Sequence, residues 1–217
     1  MFHKITALLF PPKCVLCRKI LEKNQTDLCH DCRTAAPEFG KAKSSLSFVA
    51  QWTAVWYYKD DVRKSLLRYK FYGHRNYALS YGKFLAMKLQ QDGFADFDVL
   101  TWVPIGPLRR FRRGYDQDEL LAIAVGAELG RPATQTLRKI RNTPPQSGLT
   151  NISRRRANVL GAYRAVKPEE IRGKRVLLID DIITTGATVS ECARVLLTAG
   201  AKEVICAAMA AASHDTK

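Results

Sequence analysis

The stretch Val176-Leu-Leu-Ile-Asp180-Asp181-Ile-Ile-Thr184-Thr185-Gly186-Ala187-Thr188 reads as a strand, a loop and the first turn of a helix. Val176–Ile179 is a continuous apolar run, the pattern of a strand covered on both faces of a parallel sheet. Such a strand delivers Asp180 and Asp181 to the carboxyl end of the sheet, where open α/β folds bind ligands. Two adjacent carboxylates repel each other unless hydroxyl groups or a metal ion relieve them. The small and hydroxylated residues Thr184, Thr185, Gly186, Ala187 and Thr188 leave backbone N–H groups open at a helix N-terminus, which favours an anion. Capping explains one threonine, but not two aspartates followed by a threonine-rich turn. The combination implies a site for a sugar phosphate with a divalent metal. No Gly-Lys-Ser/Thr follows, which excludes a Walker-type loop.

Outward from this stretch, strands and helices alternate. Asp98–Val103 predicts a strand, Asp116–Leu129 a helix and Arg131–Arg141 a short strand. Ser153–Val159 predicts a basic helical turn capped by Ser153. Thr188–Ala199 predicts a helix ended by Gly200, and Glu203–Met209 a last buried strand. The expected fold class is therefore α/β, with helices flanking a mostly parallel sheet. Upstream, Phe48–Tyr58 predicts a strand or hairpin, with Trp52, Ala54, Trp56 and Tyr58 on one face. Val62–Tyr72 and Leu79–Leu89 predict helices, and Thr34–Ser47 reads as a linker. Three units are expected: a small module over 1–40, a connecting hood over 41–97 and the α/β core over 98–217.

Four of the six cysteines fall in the pattern Cys14-x2-Cys17-x11-Cys29-x2-Cys32. Each Cys-x2-Cys pair sets two thiolates on one tight turn, and two such turns complete a tetrahedron around Zn²⁺. Two disulfides would conflict with an intracellular chain, and unrelated thiols seldom form two identical pairs. Four sulfurs close the coordination sphere, so the zinc is expected to be structural. Lys13, Arg18, Lys19 and Arg33 flank the knuckle, and phosphate contact and a solvated surface explain them equally well.

The chain has 217 residues, 47% of them hydrophobic, which is enough to bury a core. Lys and Arg number 35 against 20 Asp and Glu, a formal charge of +15. Between Pro104 and Arg175 there are 16 basic and 6 acidic residues, so the excess is concentrated there. An anionic partner is implied. No apolar run reaches the length of a bilayer span. Ile5–Phe10 is too short for a secretion signal and lacks a small-residue cleavage site. A cytoplasmic location with reduced cysteines is expected. The basic residues Lys70, Arg109, Arg110, Arg112, Arg113, Lys139, Arg141, Arg154, Arg155 and Arg156 are interleaved with Tyr69, Phe71, Tyr72, Phe111 and Tyr115. Cations beside stackable rings suit single-stranded nucleic acid. Taken singly, each aromatic fits a core position better; taken together, the cluster points to anion binding.

The Val176–Thr188 stretch closely resembles the ribose-phosphate signature of type I phosphoribosyltransferases. That resemblance implies phosphoribosyl pyrophosphate (PRPP) with Mg²⁺ as ligand. Asp180 and Asp181 would meet the ribose hydroxyls, and Thr184–Thr188 the 5′-phosphate. Ile105, Gly106 and Pro107 stand where that fold holds pyrophosphate, after its first core strand. Tyr69-Lys70-Phe71-Tyr72-Gly73-His74-Arg75, Arg113-Gly114-Tyr115-Asp116-Gln117 and Arg141-Asn142-Thr143-Pro144-Pro145-Gln146, leading to Arg154-Arg155-Arg156-Ala157-Asn158-Val159, extend the likeness. With the knuckle, they resemble the ComF family over nearly the whole chain. Asp116 departs from the family's usual Asn, and an acid facing ligand there would weaken an anion site. The resemblance implies a type I phosphoribosyltransferase core with an N-terminal zinc module. It also implies DNA uptake in natural transformation. The implied partners are single-stranded DNA, PRPP and a competence helicase or other DNA-processing protein. The alternative is an active phosphoribosyltransferase acting on an acceptor base or amine. The sequence shows no acceptor pocket and no catalytic acid or base.

Overall fold

The computed structural model describes residues 11–42, 44–142 and 157–213. Four strands form one parallel sheet in the order β1-β6-β5-β2: β1 is Gln51–Tyr57, β2 Val99–Trp102, β5 Arg175–Ile183 and β6 Glu203–Ala211. Alternation along the central strands divides the core. Leu177, Ile179, Ile205, Ala207 and Met209 face one side. There they meet Leu85 and Leu89 of α3 (Tyr77–Gln91) and Leu121 and Val125 of α5 (Gln117–Leu129). Val176, Leu178, Val204, Cys206 and Ala208 face the other side, against Cys192 and Leu196 of α7 (Ala187–Thr198). Both faces are thus covered, which is why these strands read as unbroken apolar runs. Helices α3 and α5 approach closely at Gly82, where a Cβ would lie 2.5 Å from that of Ala124.

The expected fold class holds, with three local differences. β1 lies inside the stretch read as a connecting hood, yet it pairs with β6 from Gln51↔Ile205 to Tyr57↔Ala211. Strand pairing therefore crosses the expected boundary at residue 98. β5 runs on to Ile183, carrying both aspartates within the strand. The arginine-rich segment, to which the sequence reading assigns no element, is a short helix, α4 (Pro107–Arg113). Pro107 opens it, since its fixed φ suits a first helical turn. No residue of α4 is buried, so apolar periodicity could not announce it. A two-stranded antiparallel ribbon, β3 (Leu137–Lys139) with β4 (Tyr163–Ala165), and one turn of helix, α6 (Pro168–Ile171), complete the core.

The cysteine module packs on α2 (Asp60–Phe71) and α3 and shares their core through Val15, Leu16, Leu21 and Leu28. Its short helix α1 (His30–Ala35) begins directly after Cys29. Arg68 donates to the Val15 and Leu16 carbonyls, and Ser65 donates to Val15 O. Ser80 Oγ donates to Asp27 Oδ1 at 2.5 Å. No helix among the described residues is long and apolar enough to cross a membrane.

Candidate functional site

Parallel strands end on one edge, so β2 and β5 bring their following loops together. The carboxyl end of β5 itself holds Asp180 and Asp181, 8% and 2% exposed. Gly186 caps α7 with φ +72°, a conformation that a side chain disfavours. A Cβ there would also lie 2.2 Å from Leu46 Cδ2, so Leu46 lies over this turn. Thr184, Thr185 and Thr188 are half-buried around it, and Ala187 is buried. Thr185 Oγ1 is buried with no hydrogen-bond partner.

The turn Ile105-Gly106-Pro107 leads from β2 into the start of α4. Ile105 N donates to Asp116 Oδ2 at 3.0 Å. Asp116 Oδ1 accepts from Asp118 N at 3.0 Å and Glu119 N at 3.3 Å, capping α5. The acid at 116 therefore faces the helix and the loop backbone, and it is 2% exposed. The expected conflict with an anion does not arise from that orientation. Burial raises the Asp116 pKa above the usual carboxylate range, against the three amides that lower it. A Cβ on Gly106 would lie 3.0 Å from Asn142 Oδ1 and 3.7 Å from Lys139 Cδ, so these side chains border the loop.

A third carboxylate, absent from the sequence reading, joins the pair. Asp118 lies with Asp180 and Asp181 so that one oxygen from each falls within 4.8 Å of the others. Gln117 Nε2 donates to Asp118 Oδ2 at 2.9 Å and to Asp181 Oδ2 at 3.0 Å. Lys70 Nζ lies 2.8 Å from Asp181 Oδ1. Burial, then the Asp181 charge, pushes Asp180 up to about 7, while burial raises Asp118 well above its ordinary value. Asp118 Oδ1 is buried without a partner. A buried polar atom left unpaired costs about 1–3 kcal/mol, so Thr185 Oγ1 and Asp118 Oδ1 both fit places for a ligand atom or ion.

The basic residues separate into groups. Lys70 and Lys139, expected among the nucleic-acid-binding cations, face inward. Lys70 pairs with Asp181, and Lys139 is 7% exposed with its Nζ 5.0 Å from the Tyr163 ring centre. Burial, then Arg109, lowers the Lys139 pKa to about 8. Arg141 donates to Asn158 O at 3.1 Å and Leu160 O at 2.7 Å. Arg109 is half-buried, and Arg110 and Arg112 are exposed on α4. Arg110 pairs with Glu119 at 2.9 Å. Arg113 donates to Gln117 Oε1 and lies 5.0 Å from the Phe71 ring centre. Arg154, Arg155 and Arg156 lie outside the described residues. Tyr69 and Tyr115 are core residues, whereas Phe71, Tyr72 and Phe111 are 62%, 72% and 86% exposed.

In the N-terminal module, the four cysteines each place a sulfur within 4.8 Å of the others. Cys17 and Cys29 sulfurs are 3.5 Å apart, close to the roughly 3.8 Å edge of a tetrahedron with 2.3 Å Zn–S bonds. Burial pushes the Cys14 thiol up, but the amides of Cys17, Cys29 and Leu16 outweigh it and bring it down to about 7. A thiolate is the form that binds metal.

These arrangements define a phosphoribosyltransferase-type core preceded by a zinc ribbon. The Phosphoribosyl transferase domain family matches residues 110–217 and the Double zinc ribbon domain residues 5–43. The four-thiol group is accordingly a structural zinc site. "Competence protein F" of Haemophilus influenzae is 26% identical over 88% of this chain and 93% of its own length. "Competence protein ComFC" of Streptococcus pneumoniae is 29% identical over 88% of this chain and 96% of its own. "DNA utilization protein YhgH" of Salmonella typhi is 36% identical over 49% of this chain, which spans 46% of that relative. Over most of its length the chain is therefore similar to competence proteins of the F/ComFC kind, with a phosphoribosyltransferase domain behind an N-terminal double zinc ribbon.

Proposed function

We propose that this protein serves DNA uptake in natural transformation, binding PRPP with Mg²⁺ at the edge of the sheet and single-stranded DNA on the surface beside it. In this reading Asp180 and Asp181 hold the ribose hydroxyls, and Thr184–Thr188 the 5′-phosphate. Ile105–Pro107 hold the pyrophosphate, with Lys139 beneath them. The metal would neutralise the pyrophosphate charge, and Asp180 and Asp181 would hold it. Four arginines on α4, with Phe111 and Phe71 exposed next to them, give the strand cations for its phosphates and rings for its bases. The names of the full-length relatives, which speak of competence, support the cellular role.

One observation carries the pairing of the two ligands. Gln117 bonds Asp181 with its amide nitrogen and Arg113 with its amide oxygen, and Arg113 lies over Phe71. A single side chain thus joins the proposed sugar-phosphate site to the proposed strand surface. Calorimetric titration of PRPP with Mg²⁺ tests the first half. Asp180→Ala with Asp181→Ala should abolish binding, and unchanged affinity would remove the assignment. Adding candidate bases and assaying pyrophosphate in the same samples tests the transferase alternative.

A further inference from the structure

The roles proposed above leave Asp118 without a task. We propose that Asp118, Asp180 and Asp181 form a divalent-cation site of the protein itself, filled by an oxygen-preferring ion before any sugar phosphate arrives. The inference uses the PRPP reading only for the ion's eventual purpose; its geometry stands apart from it.

Asp118 comes from the first turn of α5 and the other two from the end of β5, so two elements converge on one point. All three residues are at most 8% exposed. Their nearest oxygens lie within 4.8 Å of one another. Ions bound at about 2.3–2.6 Å hold opposite oxygens roughly 4.6–5.2 Å apart, and Mg²⁺ at about 2.1 Å would need a slight inward shift or a bridging water. Gln117 Nε2 ties Asp118 to Asp181, fixing two of the carboxylates. Asp118 Oδ1 has no protein partner although it is buried, and a buried acceptor calls for a donor or a cation. When all three carboxylates are ionised, the Lys70 ammonium offsets one charge and leaves two. That remainder matches a divalent ion. Carboxylate ligands select hard cations such as Mg²⁺, Mn²⁺ or Ca²⁺, whereas zinc goes to the four thiolates.

The test is Mn²⁺ titration of the zinc-loaded, full-length chain without PRPP, reading free Mn²⁺ by its electron paramagnetic resonance signal. One saturable Mn²⁺ per chain is expected. Asp118→Asn, which keeps the shape and one acceptor, should weaken it at least tenfold while zinc content stays unchanged. Lys70→Met, which removes the competing ammonium, should tighten it. Absence of saturable Mn²⁺ in the unaltered chain, or an unchanged affinity in Asp118→Asn, would overturn the proposal whatever the variants' stability. PRPP calorimetry in excess Mg²⁺ separates the two readings. PRPP binding without prior Mn²⁺ binding sinks this site alone. Mn²⁺ binding without PRPP binding keeps the site and sinks the PRPP assignment.

Discussion

The Lys70 ammonium reaches across from α2 to lie 2.8 Å from Asp181 Oδ1. Through this side chain α2 touches the acidic edge of the sheet. Deleting one partner of a buried ion pair costs about 3–5 kcal/mol. Lys70 retains 21% of its side-chain exposure, so Lys70→Met should cost less, about 2 kcal/mol. In chelator the Tm should fall by about 2–4 °C per kcal/mol, as scanning calorimetry would show. An unchanged Tm would mean that solvent already screens the pair.

Gly186→Ala should impair the loop between β5 and α7. The residue adopts φ +72°, which costs an L-residue about 1–2 kcal/mol, and the new methyl would collide with Leu46. Both Tm and PRPP affinity should drop, the latter by about tenfold or more given that energy. Retention of both would show that Leu46 yields freely and that the turn is not used.

Lys139 gives the site a pH dependence. Its folded pKa lies at about 8, below the ordinary 10.5, because burial and then Arg109 disfavour its charge. In the empty protein this contributes stability that is present above the unfolded value and lost as pH falls through about 8. A bound pyrophosphate favours the charged form, so binding takes up a proton near that pH and weakens as pH rises through it. Calorimetry in buffers of differing ionisation enthalpy would detect the proton. Lys139→Arg should flatten the profile, since guanidinium stays charged. A pH-independent affinity in the unaltered protein would dissociate Lys139 from the ligand.

Single-stranded DNA binding should be steeply salt-dependent. Each phosphate contact on a single strand contributes about 0.7 to the slope of log K against log salt. Replacing Arg109, Arg110, Arg112 and Arg113 should flatten that slope in proportion to the phosphates no longer neutralised. Phe111→Ala should cost about 1–3 kcal/mol with the slope retained, because a ring stacks without neutralising charge. Fluorescence anisotropy at several salt concentrations would separate the two effects. An unaltered slope in the arginine variant would place the strand elsewhere.

Cys14→Ser should release zinc and lower Tm. Zinc contributes on the order of 10 kcal/mol to the folding of isolated zinc modules. Part of that suffices to exceed the loss from a surface substitution, given that the module shares the core of α2 and α3. Metal analysis beside calorimetry would show both losses, and full zinc content in the variant would mean that another residue completes the site.

The sheet and the 184–188 turn were legible because they leave local signatures: unbroken apolar runs, a glycine at positive φ and small residues at a helix start. The cysteine spacing was legible for the same reason. β1 reads as a strand, but its partner is the distant β6, and pairing of that kind leaves no local mark. The inward course of Lys70 and Lys139 was hidden because composition counts cations without saying which are buried. Asp118 was hidden differently. An acid in a helix's first turn usually complements the helix dipole, and that ordinary explanation conceals a carboxylate turned toward β5. Helix α4 was missed because none of its residues is buried and its four arginines carry no apolar period.

Helix α2 has one further implication. Ser65 and Arg68 grip the carbonyls of the cysteine module, and Lys70, roughly 3 Å farther along the axis, grips Asp181. Loss of metal from the ribbon is expected to loosen the grip at Val15 and Leu16, and with it the same turn of helix that carries the Lys70 ammonium. Zinc content at the ribbon and the placing of the Lys70 ammonium beside Asp181 are thus expected to vary together.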